Sequence, residues 1–496
     1  MTKQSTVTIW RPQARPLFPQ LEADLQVQVA VVGGGITGLT AALLLAGRGK
    51  RVAVLEGRTL GAGVTGASTA HLTEAVDTRY HALESKFGRE GAALVRASSR
   101  EAIELIARLC QGASVDCGFE RVDGYLFTEH QQQVAELEQE LAAAARAGAS
   151  VEPVTLPLGI RAEGAIRFAD QAQLDPAAYV TNLAERAQRA SAQIFEGVSM
   201  LDVTGPGPLR LETNAGYSIT ADAVVLATHA PFSKLTLQLK LAQYRSYVVA
   251  GAVANAPTGL FWDMDDPYHY VRRARVEGRD YVIVGGADHR TGVLPKEGAD
   301  APYLELEAYA ARLDVPIDAR WSAQVVESAD GLPFIGRVDA ERPLYVATGF
   351  CGNGTTLGTI AAQIIADDIC GQPNRYAELY KPTRSKPLAS LGSVVVENAE
   401  TIKHAAAGHL HSAPKGALAD VRAGEGKVLE HDGKRLAVYR DDAGQVHAVS
   451  AICTHQGCLV AFNAVERSWD CPCHGSRFGL DGEVLDGPAT KPLERA

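Results

Sequence analysis

The chain lacks any apolar run long enough to cross a bilayer. Its longest runs, such as Leu39 to Ala46, fall well short of the ~20 residues a membrane helix needs, so no transmembrane segment is expected. The opening MTKQSTVTIWRPQARPLFPQ has no apolar core and no twin arginine, and no secretory leader is expected there. There is no basic patch or arm, and the formal net charge is −10. An acidic chain of this kind excludes nonspecific nucleic-acid binding as its function. No internal repeat is evident. Cysteine is scarce as well, with 8 in 496 residues. Cys110, Cys117, Cys351 and Cys370 are scattered, while Cys453, Cys458, Cys471 and Cys473 crowd together near the end. A secreted disulfide framework would spread them differently; clustering in a chain expected to be cytoplasmic points to metal or redox chemistry.

What is present begins with length. The 496 residues suggest two or three domains, and 46% hydrophobic residues suffice for sizeable cores. Val27 to Val32 reads as a strand, Gly38 to Gly47 as a helix and Arg51 to Leu55 as a second strand ending at Glu56. Residues 83–148 read as helical, 160–345 as alternating strands and short helices, and Thr355 to Ile369 as a long helix closed by Gly371. Residues 384–415 mix Pro, Ser and Gly around one modest helical stretch, Val396 to Ala407. They are expected to form a linker packed over the first domain. From 416 onward the pattern is short strands and turns, with Asp441-Asp442-Ala443-Gly444 as a hairpin signal. The expected division is 1–383, linker 384–415 and 416–496.

Gly33, Gly35 and Gly38 form G-x-G-x-x-G directly between strand and helix. Such glycines let the backbone approach a pyrophosphate at a helix N-terminus, where free N–H groups favour anions. Glu56 is placed to accept from ribose hydroxyls. A plain glycine turn without a ligand is the alternative. The loop that follows, GRTLGAGVTGASTAHLT, offers small residues and hydroxyls, among them Gly63, Thr65, Ser68 and Thr69.

Together with AVVLATHAP (223–231) and GLPFIGRVDAERPLYVATGFCGNGTTLG (331–358), these pieces make residues 25–375 resemble the D-amino-acid oxidase/glycine oxidase superfamily of FAD enzymes. The resemblance implies an α/β FAD-binding Rossmann-like domain and an α+β substrate domain whose sheet roofs the flavin. It implies that Gly352, Asn353, Gly354 and Thr355 lie near the flavin, and that a C–N bond is oxidised by hydride transfer. Glycine-oxidase-like members carry an arginine just before the closing Asn-Gly; here Gly352 stands there, which counts against an α-amino-acid substrate. Tyr268, Tyr270 and Arg272 in DPYHYVRR are candidates for another anchor, although Arg272 reads equally as a surface arginine. His289 in GGADHRTG reads as a turn residue rather than a base. His71 in STAH sits where some relatives attach FAD covalently; an unattached loop histidine is the alternative.

The terminal loops read CTHQGC (453–458) and CPCHGS (471–476). Zinc would accept two thiolates and two imidazoles. A Rieske [2Fe–2S] centre uses the same set differently, with two thiolates on one iron and two imidazoles on the other. Residues 416–496 resemble the bc1/b6f class of Rieske domain, a small all-β unit. The resemblance implies Cys453, His455, Cys471 and His474 as ligands and a Cys458–Cys473 disulfide tying the loops together. It also implies that Ser476 donates to a bridging sulfide and that Gly487-Pro488 shields the cluster. Where the class has a donating tyrosine, this chain has Phe478, so a lowered potential is expected. The whole chain resembles bacterial FAD-dependent oxidoreductases with a C-terminal Rieske domain. The expected activity is oxidation of a small amine or amino-acid-like substrate, with the cluster relaying single electrons to an external protein or quinone. The imidazoles are expected to face solvent as the exit. An O2-using oxidase with an accessory cluster, or a redox sensor or carrier without catalysis, are the alternatives.

Overall fold

The computed structural model describes residues 8–10, 17–232, 236–338, 340–384, 414 and 416–496. The expected linker, including its helical stretch 396–407, lies almost wholly outside the described residues.

The strand Leu25–Val32 sits inside a parallel sheet, which is why its second half is apolar at every position rather than at alternate ones. It pairs in parallel with Val52–Glu56 on one side and Ser218–Leu226 on the other. Gln193–Glu196 extends the first side and Leu344–Thr348 the second. The helix Ile36–Gly47 carries no charged residue because it is enclosed, packing against both Gly354–Ile369 and Pro176–Arg189. Asp175 starts the last of these helices, accepting from Ala177 N and Ala178 N with Pro176 in the first turn.

A second, nine-stranded sheet stands beside the first. Its main path runs Ala319–Ser328, Leu241–Ala252, Arg279–Arg290, His269–Val276, Leu260–Asp263, Glu120–Thr128, Gly164–Gln173 and His71–Leu72. Strand alternation divides its faces. Tyr247 packs under Tyr303 of the helix Ala301–Ala311, while Ser246 and Val248 point to the opposite face and line a large cavity against the first sheet. The helical reading of 83–148 is corrected here. The helix Tyr80–Cys110 ends, the strand Glu120–Thr128 intervenes, and a helix resumes at Val134–Arg146. The Ala-, Glu- and Gln-rich flanks hid the strand, although ERVDGYLFT carries the alternating burial of a sheet member.

The C-terminal part is all β. Gly426–His431, Lys434–Arg440 and Val446–Ser450 form one antiparallel sheet, with the expected hairpin turn at Asp441–Gly444. Four short strands from Ala461–Asn463 to Val484–Asp486 form the other. Trp469, Phe478 and Tyr439 fill the core beside four buried cysteines.

Candidate redox site

The cavity begins where Leu25–Val32 ends. A Cβ on Gly38 would lie 1.9 Å from Gly33 O, so only glycine lets the helix start against the strand end. Ile36 N–H donates to Thr65 Oγ1 at 3.3 Å, but Gly35 at the N-cap has no side chain to cap the helix and its first turn holds no acid. Its positive end is therefore open to an anion. Glu56 is held at the mouth by Gly34 N and Arg58 N, each 2.8 Å from one carboxylate oxygen. Each oxygen keeps a second lone pair for a hydroxyl donor.

Gly33, Gly35, Glu56, Gly63, Thr65, Ser68, Thr69, Gly352, Asn353, Gly354 and Thr355 all line this one cavity. Gly38 sits just behind, as the packing residue. Ser68 Oγ accepts from Ala70 N at 3.0 Å and faces Thr355 Oγ1 at 3.5 Å, so the hydroxyl-rich loop meets the closing helix. These residues fit FAD. The uncapped helix suits the pyrophosphate, Glu56 the ribose, and the loop and closing helix the flavin end.

The roof supplies Ser246, Val248, Trp262, Tyr268, Tyr270 and Gln324. Tyr270 thus lies in the cavity. Arg272 does not. It is 2% exposed, and its guanidinium donates to Thr69 O (2.6 Å), Ala70 O (2.9 Å) and Leu174 O (3.1 Å). Trp10 packs over it at 5.3 Å. It is neither a substrate anchor nor a surface arginine; it clamps the loop at Thr69–Ala70. His289 is on a strand, not a turn, and on the far face of the roof, with Nε2 2.8 Å from Tyr247 Oη. His71 lines the cavity, its Nε2 buried without a hydrogen-bond partner. Burial first, then Arg272, drives its pKa down to about 3, so it is neutral.

Two carboxylates went unread. Asp77 lines the cavity, accepting from Tyr268 Oη at 3.2 Å and from Asn353. A Cβ on Gly352 would lie 2.2 Å from Asp77 Oδ2. Gly352 also has φ +77°, so any side chain at 352 would strain the backbone and require the Asp77 carboxylate to move. Asp288 sits on the strand Arg279–Arg290, next to Ser246. Nothing in A-V-D-T-R or G-A-D-H marks either residue. The signal in the second was present only as its place beside the already noted His289.

In the C-terminal domain the two loops close alike. Cys453 N donates to Cys458 O (2.8 Å) and Cys471 N to Ser476 O (2.8 Å); Gly457 N and Gly475 N return to Cys453 O and Cys471 O. This brings the Cys453 and Cys471 thiols into mutual contact and sets the His455 and His474 rings 4.8 Å apart. Sulfur meets sulfur and imidazole meets imidazole, as one iron with thiolates and one with imidazoles requires. His474 Nδ1 and His455 Nε2 are buried without hydrogen-bond partners. The residues fit a [2Fe–2S] cluster. Cys458 and Cys473 form a disulfide. Ser476 is buried, accepts from Ala489 N at 3.0 Å and touches the Cys453 thiol. Phe478 is fully buried beside these cysteines.

The two units are joined through the site. Val484, Leu485, Asp486, Gly487, Ala489 and Thr490 line the same cavity as the glycine fingerprint. Gln324 Nε2 donates to Gly475 O at 2.8 Å, linking the roof to the residue after His474. Arg245 of the roof sheet pairs with Glu466 (2.7 Å) and Asp486 (3.4 Å). Arg477 pairs with Asp470 (3.0 Å), Asp486 (2.9 Å) and Glu466. Burial opposes charge on Asp486, yet Arg477 and Arg245 hold its pKa below the usual carboxylate range. The expectation that both imidazoles face solvent is corrected: His474 is 7% exposed beneath the roof domain, and only His455 is half-buried.

Residues 28–368 match the family model "FAD dependent oxidoreductase" (DAO), and 412–496 match "Rieske [2Fe-2S] domain". The Rieske 2Fe-2S iron-sulfur protein YhfW of Bacillus subtilis (strain 168) is 31% identical over 99% of this chain and 98% of its own length. The gamma-glutamylputrescine oxidoreductase of Escherichia coli (strain K12) is 23% identical, covering 72% of this chain and 87% of its own. The glycine oxidase structure from Geobacillus kaustophilus superposes with a TM-score of 0.62 at 20% identity, over 73% of this chain and all of that one. This last likeness is one of fold.

Proposed function

We propose that this chain, which belongs to the FAD dependent oxidoreductase (DAO) family and carries a C-terminal Rieske [2Fe-2S] domain, oxidises a small amine-type substrate and delivers the electrons singly to an external acceptor. When bound, FAD supplies hydride acceptance and the cluster supplies one-electron transfer. The observation that carries this reading is the shared wall: the segment 484–490 of the Rieske domain lines the flavin cavity.

The chain's own residues then have distinct roles. The fingerprint glycines, Glu56 and the loop of Thr65, Ser68 and Thr69 hold the nucleotide, and Arg272 fixes that loop from behind. Cys453, His455, Cys471 and His474 hold the cluster. Arg245, Glu466, Arg477 and Asp486 keep the Rieske domain docked. Gln324 and Gly475 put the His474 side toward the flavin cavity, so His455, the more exposed imidazole, is the exit toward a protein or quinone acceptor. The likeness to an enzyme named for gamma-glutamylputrescine supports an amine-type substrate.

The test is anaerobic photoreduction of the holoprotein, following flavin absorbance and the cluster EPR signal together. Coupled appearance of the reduced-cluster signal is expected. A flavin that reduces fully while the cluster stays oxidised would overturn the relay. Rapid turnover with O2 as sole acceptor would point to an oxidase instead.

A further inference from the structure

The amine reading leaves the substrate class open, and two buried carboxylates narrow it. The inference rests on that reading. Asp77 enters the cavity from the segment between His71–Leu72 and the helix Tyr80–Cys110, and accepts from Tyr268 Oη at 3.2 Å. Asp288 comes from the roof. Because side chains alternate along a strand, it shares a face with Ser246 and Tyr270, opposite the Tyr247–His289 pair. Ser246 lines the cavity and bonds the Asp288 carboxyl, so Asp288 stands directly behind the lining rather than in it. Asp288 Oδ1 is nevertheless buried without a hydrogen-bond partner. The two acids sense each other, and both act on Tyr268.

Arg79 acts on Asp77 from outside the lining, and no cation lines this end of the cavity among the described residues. Among the described lining residues the only lysine or arginine is Arg58, which sits beside Glu56 at the nucleotide mouth. Arg272 is turned to backbone carbonyls, and His71 is neutral. Burial pushes the carboxyls up, Asp77 to about 6 and Asp288 to about 7. A buried acid of this kind gains from a cation that arrives with its own donors. A substrate carboxylate would instead meet the Asp77 carboxyl in the lining, with Asp288 behind Ser246 and Arg79 already acting on Asp77.

We propose that Asp77 and Asp288, with Tyr268 and Ser246, form a recognition site for an aliphatic ammonium centre that has no carboxylate on the adjacent carbon. The site selects amines over α-amino acids. Asp77 and Tyr268 meet the nitrogen in the cavity, and Asp288 supplies a second negative charge from behind Ser246.

The probe pair is tert-butylammonium and 2-aminoisobutyrate. Neither has a hydrogen on the carbon bearing nitrogen, so neither can be oxidised there, and they differ by one carboxylate in place of a methyl. Each is titrated into the oxidised full-length holoprotein, with the flavin difference spectrum and calorimetry as readouts. The expected result is saturable binding of tert-butylammonium, with 2-aminoisobutyrate weaker by about tenfold or more, the scale of one lost charge-assisted contact. Asp288→Asn, which keeps the shape and a partner for Ser246, is expected to weaken tert-butylammonium about tenfold, and Asp288→Glu to restore part of it. Equal or tighter binding of 2-aminoisobutyrate, no saturable change with either compound, or unchanged affinity in Asp288→Asn overturns the inference. The wild-type comparison does not depend on any variant folding. The outcome is also independent of turnover: a chain that binds the ammonium but never reduces its cluster refutes the relay and leaves this site standing.

Discussion

The cluster loops and the flavin cavity hold their chemistry in opposite ways. The four ligands and the two disulfide cysteines all come from two six-residue stretches, and each loop is closed by its own backbone hydrogen bonds. The cavity draws on Gly33 at one end, Thr355 at the other, and finally on 484–490 from a different domain. A local site survives as a motif. A distributed site depends on which faces the fold turns together, so its decisive acids carry no sequence mark.

The strongest way to separate the two is Cys453→Ser. Loss of one thiolate ligand is expected to abolish the Rieske EPR signal while FAD content stays near wild type; joint loss of both cofactors would show that the regions are not independent. Next in size is the joint between them. Arg245→Met leaves Glu466 and Asp486 with Arg477 as their remaining salt-bridge partner among the described residues, and removing one partner from a buried ion network costs about 3–5 kcal/mol. The expected outcome is slower cluster reduction after flavin photoreduction, and new proteolytic cleavage between the domains. Unchanged kinetics would mean that docking does not rest on Arg245.

A smaller effect follows from Asp288. Its pKa is raised by burial above the unfolded value, with Asp77 nearby adding to the shift and Ser246 and His269 opposing it. Tyr268, Tyr270 and Asp77 are the other ionisable groups it faces. A raised carboxyl contributes stability in its protonated form, present below its unfolded pKa and lost as pH rises through about 7. Asp288→Asn removes that loss. The melting-temperature difference between variant and wild type is expected to shift in the variant's favour from pH 5 to about pH 7 and then level off, measured at saturating FAD without amine. A constant difference across that range would contradict the shift.

Phe478→Tyr sharpens the comparison within the local site. A hydroxyl donating to a ligand sulfur, at about 1 kcal/mol, is worth about 40 mV in a one-electron couple. The potential is expected to rise by that order in redox titration; an unchanged or lower value ends the argument from Phe478. The smallest expectation is a negative one. His71 shares the cavity yet is neutral, with Thr69 Oγ1 3.3 Å from its Nδ1 and a backbone hydrogen bond to Val271, and acid precipitation is expected to release the flavin. Flavin retained by the precipitate would establish covalent attachment.

Legibility followed the same divide. The strand–turn–helix around Gly33, Gly35 and Gly38, the hairpin at Asp441–Gly444 and the helix ending near Ile369 stand where local pattern placed them. The strand Glu120–Thr128 was hidden by strongly helical neighbours. Arg272 was misread because strand periodicity states that a side chain faces one side, not what waits there. Here Thr69, Ala70 and Leu174 offer carbonyls, so an apparent anchor is a brace.

By itself the sequence marked a phosphate cradle and a cysteine–histidine metal centre, because both require particular residues at short, fixed spacings that any fold must keep, and the family resemblance implied FAD and a [2Fe–2S] cluster for them. Only the tertiary structure decided the rest: that Asp77 stands against Gly352, that Asp288 lies behind Ser246 at the same cavity, and that His474 is more deeply buried than His455. Those outcomes depend on contacts between residues far apart in the chain, and the physical constraint there is shared space and shared charge, which no local spacing records.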